Sequence, residues 1–195
     1  ADAMEKVAPE EFEAKLKELL VSIIKEHKRI IFNGDGYSDE WVAEAERRGL
    51  PNYKSTVDCV PHYADEKNVA LLEKFGIFTK AEIDSRVEIL LDNYSKTINI
   101  ESLTMIDMAK KKFVPAALSY CKELCDSIAV KKSLGIAADV EQKLAEKITA
   151  LTGDAYKLVK ELEDVTSAAA AESSVMKMAR AYRDNVFAVM GQLRA

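Results

Sequence analysis

Glycine and proline are scarce, at seven and four in 195 residues. Helix breakers therefore stand far apart, which excludes an architecture of many short strands joined by glycine-rich turns. No apolar run approaches the roughly 18 residues needed to cross a bilayer, and the opening ADAMEKVAPEEF lacks the basic start and apolar centre of a secretory leader. A cytoplasmic protein without membrane contact is the expectation. Surplus positive charge is missing too: 28 Lys and Arg against 33 Asp and Glu leave a net charge of -5. Nucleic acid is then not an expected partner, because phosphate backbones are held by clustered cations. Three cysteines, an odd number, make no disulfide framework. Cys121 and Cys125 stand one helical turn apart, farther than the roughly 3.8 Å between Cβ atoms that a disulfide prefers, and read as buried thiols. A zinc site would need further ligands, and the two histidines, His27 and His62, lie far away in sequence. Phosphate-cradling G-x-x-x-x-G-K-[ST], the nucleophile elbow G-x-S-x-G and the zinc motif H-E-x-x-H are all absent.

What is present is 48% hydrophobic and 31% charged residues, with Lys and Glu interspersed as on solvated helix faces. The most distinctive stretch is His27–Trp41, HKRIIFNGDGYSDEW. Asn33-Gly34-Asp35-Gly36 offers two residues that accept positive φ, so a tight turn is expected. Ser38 reads as an N-cap, with Asp39 and Glu40 at the positive end of the helix dipole. A calcium loop is the competing reading, since Asp35, Asp39 and Glu46 occupy its first, fifth and twelfth places. Tyr37 and Glu40 stand where it wants an oxygen ligand and a glycine, which favours a capped turn.

The first helix should open at Pro9 and run to about Phe32, with Phe12, Leu16, Leu19, Leu20, Ile23, Ile24, Ile30 and Ile31 as an apolar stripe that something must cover. Within it, His27 beside Lys28 and Arg29 reads as a partly buried or surface residue. Ser38–Arg48 should form a short helix closed by Gly49, with Trp41 anchoring it to the first. Asn52–Ala64 reads as an ordered loop, with Thr56 and Asp58 as possible caps of a single turn. Asp65 could cap a helix that ends at Gly76. Thr79 and Glu82 form a T-x-x-E capping box announcing a helix with no stop before Gly135. From Lys80 to Ser133 it would reach about 80 Å, so a break is expected, at Pro115 in preference to the β-branched Thr97, Ile98 and Ile100. A short strand at Lys96–Ile100 is the alternative. Beyond Gly135, Val140, Leu144, Ile148, Leu151, Ala155, Leu158, Leu162 and Val165 recur at steps of four and three, a coiled-coil-like seam that passes over Gly153. Thr166–Ser174 is either a connection between antiparallel helices or a continuation. Met178, Tyr182, Val186, Val189, Met190 and Leu193 stripe a final helix. The end at Ala195 carries no glycine stop or polar tail, so the chain reads as part of a longer protein.

The expected fold is thus all-α, a helical bundle with long antiparallel, coiled-coil-like helices, divided into a helix-turn-helix segment (1–78) and a long-helix bundle (79–195). Asp84, Asp92 and Asp107 would form a site only if tertiary structure gathered them. Read from the residues alone, no catalytic, cofactor-binding or metal-binding residue is assigned.

Three stretches, RIIFNGDGYSDEWVAEAERRGLPN, EKNVALLEKFGIFTKAEI and SRVEILLDNYSKTINIESLTMIDMAKKKFVPA, resemble the C-terminal part of type III glutamine synthetases, and the resemblance runs from about Phe12 to the end. It implies a whole enzyme that makes glutamine from glutamate, ammonia and ATP with magnesium or another divalent metal, as two stacked rings of subunits. It also implies that the metal and nucleotide ligands lie mainly on a β-rich domain preceding this region. The F-E-F-R-type segment that closes that domain has no match here, so no family site residue is carried over. On this reading the chain holds no cofactor, performs no ligase chemistry itself, and has as partners the rest of the synthetase chain and other subunits, supporting assembly or bracing the catalytic domain. The turn at Asn33–Tyr37 would permit close approach to a ligand in the intact enzyme. The alternative is an autonomous helical scaffold that binds a protein partner through the Val140–Val165 seam.

Overall fold

The computed structural model describes residues 7–195, and among them every regular element is helical. The chain divides into two compact units, Ala1–Tyr53 and Lys54–Ala195.

In the first unit, Pro9–Glu11 form a 3-10 turn, helix α1 spans Phe12–Glu26, and Lys28–Ile30 form a second 3-10 turn. The helix expected to reach Phe32 stops at Glu26 because tertiary contacts override its local preference. Nη1 of Arg48 donates to the carbonyls of Arg29 and Ile31, and Ile31 takes up extended backbone (φ −90°, ψ 124°). Leu16 and Leu19 of the α1 stripe are half-covered, whereas Phe12, Leu20, Ile23 and Ile24 stay exposed. Helix α2 (Asp39–Arg47) starts at Ser38, whose Oγ accepts from the Trp41 N–H at 3.3 Å. Trp41 anchors it to Phe32, at 4.5 Å between ring centroids, so the contact is with the segment after α1.

The second unit opens with α3 (Thr56–Cys59) and a 3-10 turn (Val60–Ala64) where a loop was expected. Ser55 supplies the cap, in place of Thr56 or Asp58: its Oγ accepts from the Asp58 N–H at 3.2 Å. Helix α4 (Glu66–Lys74) follows Asp65, whose carboxylate turns to Nδ1 of His62 at 2.9 Å instead of capping. At α5 (Lys80–Met108) the capping box forms in both directions, with the Thr79 N–H donating to Glu82 at 2.8 Å and the Glu82 N–H to Thr79 at 3.3 Å. Lys96–Ile100 lies inside α5 with Ile98 buried, which overturns the strand alternative.

The long helix is interrupted where Pro115 requires it. Proline lacks an N–H and its ring clashes with the carbonyl one turn back, and a π-turn (Ala109–Phe113) relieves both before α6 (Val114–Ser133) begins. Val114 donates to the Ala109 carbonyl, five residues back. The extra residue rotates the buried face. On α5 it runs Ser95, Ile98, Ser102, Ile106, Ala109, and unbroken repetition would next bury Phe113 and Tyr120. After the π-turn, the covered positions are Val114, Ala117, Cys121 and Leu124, and Phe113 and Tyr120 are left exposed.

Gly135, at φ 71°, reverses the chain after α6 while the Ile136 N–H donates to the Lys131 carbonyl at 2.9 Å. Helix α7 (Asp139–Ala170) then returns along α6. It carries through Thr166 to Ala170 before the short turn to α8 (Val175–Ala181), so Thr166–Ser174 is both continuation and connection. A second π-turn (Tyr182–Val186) leads into α9 (Phe187–Arg194).

The core joins Ile98 and Ile106 of α5 to Val159, Leu162 and Ala169 of α7 and to Tyr182, Val186, Val189 and Met190. A second cluster sets Val57 and Val60 against Leu91 and Ala179. Between α5 and α7 the Thr166 hydroxyl donates to Ser102 at 3.3 Å, and from the second π-turn Tyr182 donates to Asn99 of α5 at 3.1 Å. The expected seam is half right. Leu162 is wholly buried and Leu158 and Val165 pack on the core, but Val140, Leu144 and Leu151 are exposed, because the first half of α7 is covered by α6 alone, on its Ala145 side. Leu162→Ala should therefore lower stability by about 3 kcal/mol and Leu151→Ala by less than about 0.5 kcal/mol, as measured by urea denaturation followed by circular dichroism.

Candidate functional site

The Asn33–Ser38 turn is built by side chains that fold back on it. Asp35 Oδ1 accepts from the Tyr37 N–H at 2.9 Å, and the Ser38 hydroxyl donates to the Asp35 carbonyl at 2.9 Å. The glycines do not serve as expected: Gly34 and Gly36 are not among the residues with positive φ. Gly34 is needed for space, since an added Cβ would sit 2.6 Å from the Phe32 ring, which Trp41 holds in place. With Asp35 engaged in the turn, the calcium-loop reading loses its first ligand. Among the described residues no three His, Cys, Asp or Glu side chains are grouped as a metal would require.

Arg48 organises this surface. Its guanidinium lies 5.9 Å from the Phe32 ring centroid and 5.8 Å from that of Trp41, donates to two backbone carbonyls, and donates from Nε to Glu44 at 2.5 Å. Arg47 adds two bonds to the same carboxylate, each at 2.6 Å. Hydrogen bonds from Arg47 and then Arg48 hold the Glu44 carboxyl down to about 2. The turn therefore presents a fully exposed Tyr37 on a braced base.

The second concentration of charge is in the other unit. Arg183 pairs with Asp58 and donates from Nε to Asp184 at 2.7 Å, tying the start of α3 to the second π-turn. Ser55 and then Arg183 hold the Asp58 carboxyl below its ordinary value. Both constellations are braces, with their hydrogen-bonding capacity turned inward.

The other residues singled out from the sequence are dispersed. Asp84 and Asp92 pair with Lys80 and Lys96 on α5 itself, and Asp107 pairs with Lys111 of the adjoining π-turn. Twenty-three residues of helix put the first and last about 35 Å apart. His27 is an exposed residue at the end of α1. The cysteines are less covered than expected: Cys121 is half-buried with its Sγ 3.4 Å from the Thr149 hydroxyl, and Cys125 and Cys59 are exposed. Partial desolvation by its surroundings and then the neighbouring Cys121 raise the Cys125 thiol above its ordinary value.

Sequence reasoning missed Arg48 and Arg183. Glu44 and Arg48 at i,i+4 were a visible signal for the first, whereas Arg183 and Asp58 are joined only by the fold. Because the folded-state value of Glu44 is depressed, its contribution is complete above about 4.5 and is lost as pH falls toward 2. Glu44→Gln should therefore lower the urea midpoint of the first unit at pH 6, read by fluorescence of Trp41, the only tryptophan. The gap from the parent should close as pH falls through that window.

The chain is similar in sequence to known proteins. The family described as the glutamine synthetase C-terminal domain matches residues 15–132, which take in the Arg48 brace, the capping box, the first π-turn and nearly all of α6. A glutamine synthetase of Butyrivibrio fibrisolvens is 41% identical over 187 residues, covering 95% of this chain and 27% of that protein. A type-3 glutamine synthetase of Dictyostelium discoideum is 37% identical over 103 residues, covering 53% of this chain and 14% of its own length. A Bacteroides fragilis glutamine synthetase is 29% identical over 187 residues, with 91% and 26% covered. The chain thus spans about a quarter of the length of the Butyrivibrio and Bacteroides relatives. With the family's domain matched over more than half of its residues, the chain belongs to the glutamine synthetase C-terminal domain family.

Proposed function

We propose that this chain is the helical, non-catalytic C-terminal part of a type III glutamine synthetase. The whole enzyme, in the cytoplasm, joins ammonia to glutamate with hydrolysis of ATP and assembles from several subunits in a double ring. The observation that carries this reading is the match of residues 15–132 to the synthetase C-terminal domain, in a chain that aligns to 27% of the Butyrivibrio relative. The chemistry of the side chains supports the division of labour. Ligase chemistry needs converging carboxylates for metal and cations for phosphates, whereas the carboxylates here are committed to caps, turns and lysines of their own helices. The described residues do not fit a divalent metal, and no catalytic step is assigned to them. Long helices buried along one edge suit a part that braces a catalytic domain and holds subunits together.

Glutamine formation from glutamate, ammonia and ATP with magnesium tests this directly. The chain alone should give no glutamine above the no-enzyme control, and a full-length synthetase carrying it should turn over; activity of the chain alone would overturn the assignment. In that full-length enzyme Asp35→Ala should leave KM and kcat within about twofold, because Asp35 holds the turn through one exposed hydrogen bond. A larger fall in kcat would instead place the Asn33–Tyr37 turn at the reacting groups.

A further inference from the structure

The apolar stripe of α7 outruns the body that covers it. Leu158, Leu162 and Val165 pack on the core, yet Val140, Leu144 and Leu151, on the same stripe, are 68%, 39% and 59% exposed. At about 100° per residue, Val140, Leu144, Leu151 and Leu158 fall within about 40° of arc. The uncovered stretch is therefore continuous with the face by which α7 joins the core. Here α7 packs on α6, pinned by the Lys131–Glu141 ion pair and by Cys121 against Ala145 and Thr149. The two form a helical arm. The π-turn leaves Tyr120 of α6 exposed, Leu134 just past the end of α6 is exposed as well, and helical phase sets both on the same side of the arm as the α7 stripe.

We infer that this side of the arm is a contact between two copies of the chain, related by a two-fold axis along the arm that sets α7 of one copy over α6 of the other. The contacts within the arm fix which residues share a level. Lys131 meets Glu141 and Cys121 meets Ala145 and Thr149, so Val140 is level with Leu134, Leu151 with Tyr120, and Lys147 with Glu123. A two-fold axis along the arm preserves those levels. It lays Val140 on the second copy's Leu134, Leu151 on its Tyr120, and Lys147 beside its Glu123, each contact made twice. Apolar thus meets apolar in the middle, and opposite charges meet at the edge. A face of about 22 Å by two helix widths buries roughly 450 Å² per copy, about half of a standard interface, so the isolated pair is weak and gains strength where several subunits are joined.

The inference takes its setting from the proposed role in a multi-subunit synthetase, but its test needs no ligase activity, so the two readings can fail separately. Sedimentation equilibrium of the chain from about 5 µM to about 500 µM should show a reversible monomer–dimer equilibrium. Leu144→Asp, at an exposed position, should leave the helical circular dichroism unchanged and weaken the dimer at least about tenfold. Lys147→Glu and Glu123→Lys should each weaken it about fivefold, and the double variant should restore it to within about twofold. A chain that stays monomeric throughout, because another surface or partner covers the stripe, would overturn the inference. So would a dimer that Leu144→Asp does not affect, or a charge swap that does not restore it.

Discussion

Burial of Val159 and Leu162 between α5 and the C-terminal helices is the constraint on which the second unit depends. Both residues are without solvent exposure, and Ile98, Ile106, Val186 and Met190 converge on them from the neighbouring elements. Removing a buried leucine costs several kcal/mol, a large share of the marginal stability of a domain this size. The arm has no comparable centre: along α6 only Leu124 is buried, and along the first half of α7 only Ala145. One 32-residue helix is therefore firm at one end and lightly covered at the other.

The first π-turn shapes the lightly covered end. Pro115 forbids a regular helix, and the inserted residue moves the covered face one position along α6. Phe113 and Tyr120 are turned outward, where an unbroken α5–α6 would have hidden them. A local backbone requirement thereby sets which side chains the arm exposes. In the first unit the single guanidinium of Arg48 has the corresponding part, fixing two carbonyls, two rings and a carboxylate at once.

Much of this was legible in the residues, where the signal is local. The Thr79–Glu82 box, the Ser38 cap, the stops at Gly49, Gly76 and Gly135 and the stripe from Met178 to Leu193 follow from neighbours within one or two turns. Pro115 located the break, but sequence gave no sign that a π-turn would carry it. The errors lie where distant partners decide. The end of α1 is set by Arg48, 19 residues beyond Arg29, and the α3 region is ordered by packing on Leu91 and Ala179. Periodicity found the α7 stripe, but it reports which residues are apolar, not how far a covering body extends. For the candidate site, the turn was visible and its bracing cations were not.

On the proposed contact between arms, the exposed half of the α7 stripe becomes an interface when the protein assembles. Hydrogen exchange along α7, measured on this chain alone at low concentration and on a full-length synthetase carrying it, tests that claim most directly. Amides near Leu158–Val165 should be strongly protected in both, and those from Val140 to Leu151 should exchange at least about tenfold more slowly in the assembled enzyme. Equal exchange of Val140–Leu151 in the two states would contradict it.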